Sequence, residues 1–145
     1  MDPLQRLTAI EDIKQVEAAR NRTLDTKDWA GYRAIHVEEI VSHSAPGQPL
    51  NGVDAMIAWL ANELKDALSI HHCHGPEFSF DGPDKARVIW AYEAMTVFRR
   101  PGGDIKRHGL GFYHVDYVRR DGRWLIADRR QERLRVDEGG ATLAV

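Results

Sequence analysis

The change of hydrophobic period near Ser69 constrains the fold of this chain more than any other feature. Beyond this point apolar and polar residues alternate, and a period of two is typical of strands with one buried face. Three turn sequences, whose glycines suit the positive φ of tight hairpins, divide this half of the chain: Asp81-Gly82-Pro83-Asp84, Pro101-Gly102-Gly103-Asp104 and Asp121-Gly122. The pattern predicts four antiparallel strands, over residues 70–80, 85–99, 106–119 and 123–134.

The first half of the chain has mainly helical spacing. Thr8 and Glu11 fit a capping box at the start of a helix, and Asp25 or Thr26 is placed to cap the next one. The predicted elements are two helices, a short strand and a third helix, over residues 8–24, 29–35, 39–44 and 52–67.

Helices followed by a meander of long strands indicate an α+β fold. Strands this long must curl strongly to bury one face, which predicts a cone-shaped, mainly antiparallel barrel with the first helix as the floor of its pocket. The 145 residues suit a single domain over 1–145. The glycine-rich segment 137–145 is predicted to be a flexible tail.

Composition excludes several classes of protein. A net charge of -2 gives no reason to expect nucleic acid as a partner. No apolar run approaches the roughly 20 residues of a membrane span, so no membrane partner is expected. The single cysteine, Cys73, rules out a disulfide within the chain and favours a reducing compartment. We therefore expect a cytoplasmic protein.

Three of the seven histidines lie within four positions, at His71, His72 and His74. Histidine titrates near neutral pH, so this run is where we expect chemistry. Strand alternation places His72 and His74 on one face and His71 with Cys73 on the other. A metal site is the alternative to a catalytic base, but no third ligand stands at a recognisable spacing, and we predict no metal. His71 also remains compatible with a core histidine bonded to the backbone.

The chain resembles the SnoaL-like members of the nuclear transport factor 2-like superfamily. The resemblance spans about residues 12–136 and rests on three segments: Leu24-Asp25-Thr26-Lys27-Asp28-Trp29, the strand from His71 to Asp81-Gly82, and Tyr113-His114-Val115-Asp116-Tyr117 with Asp121-Gly122-Arg123-Trp124. It implies the cone-shaped fold. This fold hosts many activities, so the resemblance is less specific for function.

Within the superfamily the chain is most similar to lyases such as bile acid 7α-dehydratase and scytalone dehydratase, and also to a dehydrochlorinase of chlorinated cyclohexanes. These enzymes need no cofactor. Carried across, their catalytic histidine falls on His71 and its partner aspartate on Asp25, while an arginine near the last strand falls on Arg133. The tyrosines of the two dehydratases fall on Arg20 and Leu24, so the phenols that assist a leaving group are missing there.

Each transferred residue has a plainer alternative. Asp25 suits a helix cap, and Arg133 suits a solvated charged strand edge. His108, at the start of the third long strand, is a further candidate for the catalytic site or its rim. The candidates for ligand binding are aromatic, soft or polar residues expected on the pocket walls: Trp29, His43, Met56, Trp90, Tyr92 and Tyr113.

These residues lead to two hypotheses about function. The first is a cofactor-independent lyase, such as a dehydratase, or an isomerase, acting on a hydrophobic cyclic carbonyl compound of steroid or polyketide type. His71 would be the base, Asp25 its orienting partner, and Arg133 or His108 an electrophilic helper. The alternative is a non-catalytic small-molecule binder, or an assembly subunit similar to the small subunit of ring-hydroxylating dioxygenases. In both cases we expect self-association as a dimer or trimer, because the outer face of the sheet needs cover.

Overall fold

Three helices and seven strands make up the protein in a computed structural model that describes residues 1–144. The helices are α1 (Pro3–Asp25), α2 (Trp29–Ala34) and α3 (Val53–Glu63). The strands are β1 (His36–Ser42), β2 (Leu50–Asn51), β3 (Ala67–Phe80), β4 (Lys85–Phe98), β5 (Ile105–Arg120), β6 (Arg123–Glu138) and β7 (Ala141–Leu143).

The strands form one mainly antiparallel sheet in the order β2-β1-β6-β5-β4-β3, and β7 pairs with β6. β3 to β6 are joined by the three predicted hairpins, while β1 runs parallel to β6. α1 packs against β3 and β6, across the concave side of the curved sheet. The predicted α+β cone is confirmed, although the sheet is open at β3 rather than closed into a barrel.

The first helix begins five residues earlier than predicted. The Asp2 side chain caps it by accepting a hydrogen bond from the backbone amide of Gln5, and the Gln5 side chain accepts one from the backbone amide of Asp2. Pro3 occupies the first helical position. The predicted box at Thr8 was therefore wrong, because the reciprocal pattern had already occurred upstream.

The turn after α1 shows which aspartate caps α2. Asp28 accepts a 2.9 Å hydrogen bond from the backbone of Gly31. A Cβ at Gly31 would lie 2.4 Å from the Asp28 carboxylate, so this tight cap requires glycine. Neither Asp25 nor Thr26 caps α2, and Asp25 is therefore available for another role.

The C-terminal segment is part of the sheet. β6 continues to Glu138, and the pair Gly139-Gly140, with φ of 58° and 85°, turns the chain into β7. The prediction of a flexible tail over 137–145 was wrong for residues 137–143, since glycine there marks a hairpin. Val145 lies outside the described residues. Among the residues described, no helix is long and apolar enough to cross a membrane.

Candidate active site

The concave side of the sheet encloses a cavity of about 640 Å³. α1, α3 and the strands β3 to β6 surround it. Its apolar wall includes Leu24, Trp59, Leu60, Leu64, Phe98 and Val136. Its polar wall includes Arg20, His71, Tyr92, Tyr113, Gln131 and Arg133. A cavity of this size suits a small organic ligand, and the convergent polar groups mark it as the candidate site.

Small residues on β4 and β5 create the space. Ala94 and Gly109 are paired across the two strands and face the cavity. A Cβ built at Gly109 meets nothing closer than 3.6 Å, the Tyr92 hydroxyl. The glycine at 109 therefore provides volume rather than relief from a clash.

His71 and Asp25 meet at the wall of this cavity. Nδ1 of His71 lies 2.7 Å from Oδ1 of Asp25, and the backbone amide of His71 donates a 2.8 Å bond to Oδ2. The hydroxyl of Ser69 donates a 2.9 Å bond to the same carboxylate. An ionised carboxylate only accepts hydrogen bonds, so Nδ1 carries the proton and Nε2 is the basic nitrogen. The two side chains are 13% and 20% exposed.

Both groups have shifted pKa values. Burial alone would raise the pKa of Asp25, but hydrogen bonds from His71 and Ser69 lower it below its ordinary value. Burial lowers the pKa of His71, and the charge of Arg20 acts in the same direction, while the bond to Asp25 opposes them. Near neutral pH the pair is therefore an ionised carboxylate and a neutral imidazole, which is the state a general base needs.

Arg20 is the buried cation of the site. It is 4% exposed, lines the cavity, and donates a 3.0 Å hydrogen bond to the side-chain oxygen of Asn21. Its Nε is buried, and none of the described residues accepts a hydrogen bond from it. A buried guanidinium with spare donors beside a cavity is equipped to bind a negatively charged oxygen.

A second buried arginine, Arg129, forms an ion pair with a carboxylate behind the cavity wall, although its Nε has no hydrogen-bond partner among the described residues. Arg129 donates bonds of 3.1 and 2.9 Å to Glu17, and Tyr117 donates a 2.6 Å bond to the same carboxylate. Cys73 adds a weaker contact of 3.3 Å. Burial would raise the pKa of Glu17, but Arg129 lowers it to about 2. Of the two buried arginines, Arg129 is therefore the one that is hydrogen-bonded to the Glu17 carboxylate.

Tyr113 joins these charges to the cavity. The guanidinium carbons of Arg129 and Arg20 lie 3.9 and 5.3 Å from the centre of its ring. Tyr92 stacks on the ring of Tyr113 at 4.2 Å, and its buried hydroxyl lies near Gln131 without a well-formed bond. Tyr92 and Tyr113, which were predicted to contact a ligand, both line the cavity.

Four other predicted residues lie away from the cavity, as does His108. His108 points to the outer face, where Nε2 lies 2.7 Å from Glu93, because the inward position of β5 is Gly109. His43 lies 3.5 Å from Asp128, and its neighbour Ser44 lines the cavity instead. The placement of His108 and His43 in the pocket is corrected accordingly.

Trp29, Met56 and Trp90 are corrected as well. Trp29 packs edge-on against Tyr32, and Met56 is buried in the core on α3. Trp90 donates a 3.2 Å bond to the Tyr117 hydroxyl and borders a second, smaller pocket between α1 and β3. These three side chains belong to the packing around the site.

The histidine run divides as strand alternation predicts. His72 and His74 are exposed, with ring centres 6.2 Å apart, while His71 and Cys73 face inward. Within residues 1–144, no three His, Cys, Asp or Glu side chains come together in a way that could hold a metal ion. The site is therefore assembled around one histidine of the three.

Glu17 was not among the predicted site residues, and neither Arg20 nor Arg129 was predicted to be a functional group. Glu17 and Arg20 share the buried face of α1 with Ile13 and Leu24, at the spacing of a core stripe. Two charged residues on an otherwise apolar stripe were the available signal. Arg129 was hidden by a bulge at Ala127, which reverses the alternation of β6.

Most of the chain matches a known protein domain. The SnoaL-like domain matches residues 5–130. A putative scytalone dehydratase from Novosphingobium aromaticivorans superposes with a TM-score of 0.81 at 20% identity, over 92% of this chain and 89% of that one. A type 2 hexachlorocyclohexane dehydrochlorinase gives 0.85 at 17%, over 99% and 98%. A protein of unknown function from Mycobacterium tuberculosis gives 0.76 at 23%, over 93% and 78%. At these identities the likeness establishes the fold.

Proposed function

Because this chain belongs to the SnoaL-like domain family, we propose that it is a cofactor-independent lyase or isomerase acting on a hydrophobic cyclic carbonyl compound. The observation that carries the proposal is the Asp25–His71 pair, joined at 2.7 Å on the wall of a cavity of about 640 Å³. The dehydratase and dehydrochlorinase among the similar structures support an elimination or a related proton transfer.

In the proposed reaction, Nε2 of His71 removes a proton from the carbon next to the carbonyl group. The C–H electron pair passes into an enolate, and the imidazole becomes a cation. Asp25 holds the ring in the required tautomer and stabilises that cation through the Nδ1 proton. No metal or redox partner takes part in this step.

Arg20 is the group we assign to the enolate. Its buried guanidinium lines the same cavity, and its spare donors are of the kind that stabilise a developing oxyanion in a site shielded from water. The sequence-based candidates for this role were Arg133 and His108. His108 lies outside the cavity, and Arg133 is exposed at its edge, so Arg20 replaces both.

The enolate then has two outcomes. In a lyase, a leaving group on the neighbouring carbon departs with its electron pair and takes the proton from His71. In an isomerase, His71 returns the proton to a different carbon. The first step is common to both, so a test of that step covers the whole proposal.

The test is exchange of the C1 protons of 2-tetralone in deuterium oxide, followed by NMR. The wild-type protein should accelerate exchange, and His71→Gln should lose about 10²- to 10⁴-fold of that acceleration. His114→Gln is the matched control, because His114 pairs with Glu132 at 2.7 Å on the outer face. Equal exchange by wild type and His71→Gln would refute the role of His71.

The non-catalytic alternative makes a different prediction. A binder or assembly subunit would still be stabilised by cyclic ketones in a thermal-shift assay. It would show no exchange with 2-tetralone or with a wider panel of cyclic ketones. Under that outcome the Asp25–His71 pair would be a binding element only.

We also propose that the chain self-associates as a dimer or trimer. Leu68, Ile70 and Met95 are 55%, 41% and 40% exposed on the outer face of neighbouring strands β3 and β4. Adjacent exposed apolar side chains favour an interface. Light scattering on a sizing column should give a mass of two or three chains. A monomer at 50 µM would refute this.

A further inference from the structure

We propose that the physiological ligand is an organic anion: a fused-ring compound whose carboxylate is bound by Arg133 at the mouth of the cavity, across from His71. This deepens the proposed function and rests on the same cavity being the substrate site. The carboxylate is a binding group and takes no part in the bond changes at His71.

The charges around the cavity are unbalanced. Three arginines line it, Arg20, Arg107 and Arg133, whereas Glu63 is the one carboxylate on the lining formed by the described residues. Arg107 is already paired with Glu138 at 2.6 Å and stacks over Phe98. A cavity with surplus fixed cations favours a negatively charged ligand.

Arg133 is the cation at the open end. It is exposed, unlike Arg20, and within residues 1–144 no hydrogen bond or ion pair joins its side chain to another residue. Its neighbour Arg135, by contrast, bonds Asp137 at 3.0 Å. Arg133 therefore has its full set of donors available to a ligand.

A bulge turns Arg133 toward the cavity. On β5, Leu110 pairs with Arg135 and the next residue, Gly111, pairs with Arg133, so Leu134 is an extra residue on β6. A Cβ at Gly111 would lie 2.0 Å from the backbone oxygen of Glu132, which means that the bulge requires glycine there. Without the bulge, strand alternation would place Arg133 and Arg135 on the same face.

The positions of Arg133 and His71 set the size of the ligand. Arg133 is on β6 and His71 on β3, three strand steps apart. At about 4.8 Å a step this is roughly 14 Å along the sheet, and the straight path across the curved cavity is shorter. A ligand that reaches both needs about two or three fused rings between its acidic carbon and its carboxylate. Smaller acids would contact only one of the two residues.

The guanidinium group also determines which anion suits the site. Arg133 offers parallel N–H donors that match a carboxylate in a bidentate arrangement. An amide of the same shape lacks the charge and one acceptor. Arg133 should therefore discriminate between a ring acid and its own primary amide, which differ in little else.

The test uses 6-oxo-5,6,7,8-tetrahydronaphthalene-2-carboxylic acid and its primary amide, with Kd measured by calorimetry. Wild type should bind the acid about 10- to 100-fold more tightly, the range expected for a charged pair of hydrogen bonds. Arg133→Gln should reduce the preference to less than about threefold, and Arg133→Lys should restore part of it. Arg135→Gln, on the outer face of the same strand, should keep it. The preference should also weaken between 50 and 500 mM salt, because the site is exposed.

Several results would overturn the proposal. They are equal binding of acid and amide by wild type, no binding of either, or a preference that persists in Arg133→Gln. Repeating the binding measurement in His71→Gln separates the proposed catalytic role of His71 from the proposed anion site at Arg133, because this variant should lose proton exchange and keep the preference for the acid. An intact acid preference without proton exchange in wild type refutes the lyase but not the anion site. Accelerated exchange of 2-tetralone protons by a wild-type protein that shows no preference for the acid refutes the anion site but not the lyase.

Discussion

The buried ion pair between Glu17 and Arg129 provides the most quantitative prediction about stability. The two side chains are 2% and 5% exposed and share two hydrogen bonds. Glu17→Gln imitates the protonated form of the carboxyl group, so the pKa of Glu17 sets the expected cost. The drop from 4.5 to about 2 corresponds to about 3 kcal/mol at neutral pH. Leaving a buried arginine unpaired typically costs about 3–5 kcal/mol, which agrees.

Urea unfolding followed by circular dichroism at pH 7 measures this cost. For a chain of this size, about 3 kcal/mol corresponds to a Tm lower by roughly 10 °C. Asp116→Asn is the control, because Asp116 pairs with Arg87 at 3.1 Å while both side chains are largely exposed. That pair should be worth less than about 1 kcal/mol. A Glu17→Gln cost within about 1 kcal/mol of the control would refute the reasoning.

The pH dependence gives a second check on the same pair. The pKa of Glu17 is lower in the folded state, so its contribution is complete above pH 4.5 and is lost as the pH falls toward 2. The stability difference between wild type and Glu17→Gln should shrink over that interval. A double variant, Glu17→Leu with Arg129→Met, should cost less than Glu17→Gln alone, since it removes both members of the ion pair and does not leave Arg129 without its carboxylate.

Three further predictions concern the site and its surroundings. Asp25→Asn should lower kcat/KM about 10²- to 10⁴-fold and move the acid limb of the pH profile downward, because Asp25 raises the pKa of His71; an unchanged limb would contradict this. Gly109→Val should weaken binding of ring ketones at least tenfold with little change in Tm, since the added side chain fills open space in the cavity. An unchanged Kd in calorimetry would show that the ketones do not bind in this cavity. His36 has a pKa lowered by burial to about 4, so wild type should lose about 3 kcal/mol from pH 6.5 to 4. His36→Gln should not show this loss in urea unfolding.

The long strands were predictable because their signals are local. A two-residue period and glycine-containing turns fix each hairpin within a few residues, without knowledge of what the strands pack against. Strand alternation then places His71 and His72 on opposite faces, and the resemblance to the family indicates that His71 is the one that faces the pocket. Element boundaries were less accurate, as the capping box at Asp2 and the strand β7 illustrate.

Positions that depend on a bulge were not predictable from alternation. Bulges at Ala127 and Leu134 each add one residue to β6. Ile126 and Arg129 therefore both face inward although they are three residues apart, and the same holds for Arg133 and Val136. Strict alternation would place the members of each pair on opposite faces. His108 failed for a related reason, since a shift of one residue exchanges the two faces of a strand. Side-chain type did not help, because charged residues occur on both faces of this sheet.

The two buried arginines connect stability with the proposed chemistry. Both lower the pKa of His71, and Glu17 compensates mainly Arg129, to which it is hydrogen-bonded. The charge of Arg20 therefore acts on the cavity, where it adds to the effect of burial in lowering the pKa of His71 before reaction and would attract an enolate after proton removal. A carboxylate at position 20 would do the opposite, because it would favour a protonated imidazole and repel an enolate. Burying an incompletely paired guanidinium at the wall of a cavity is costly, and such arrangements cluster at functional sites, which supports the role proposed for Arg20.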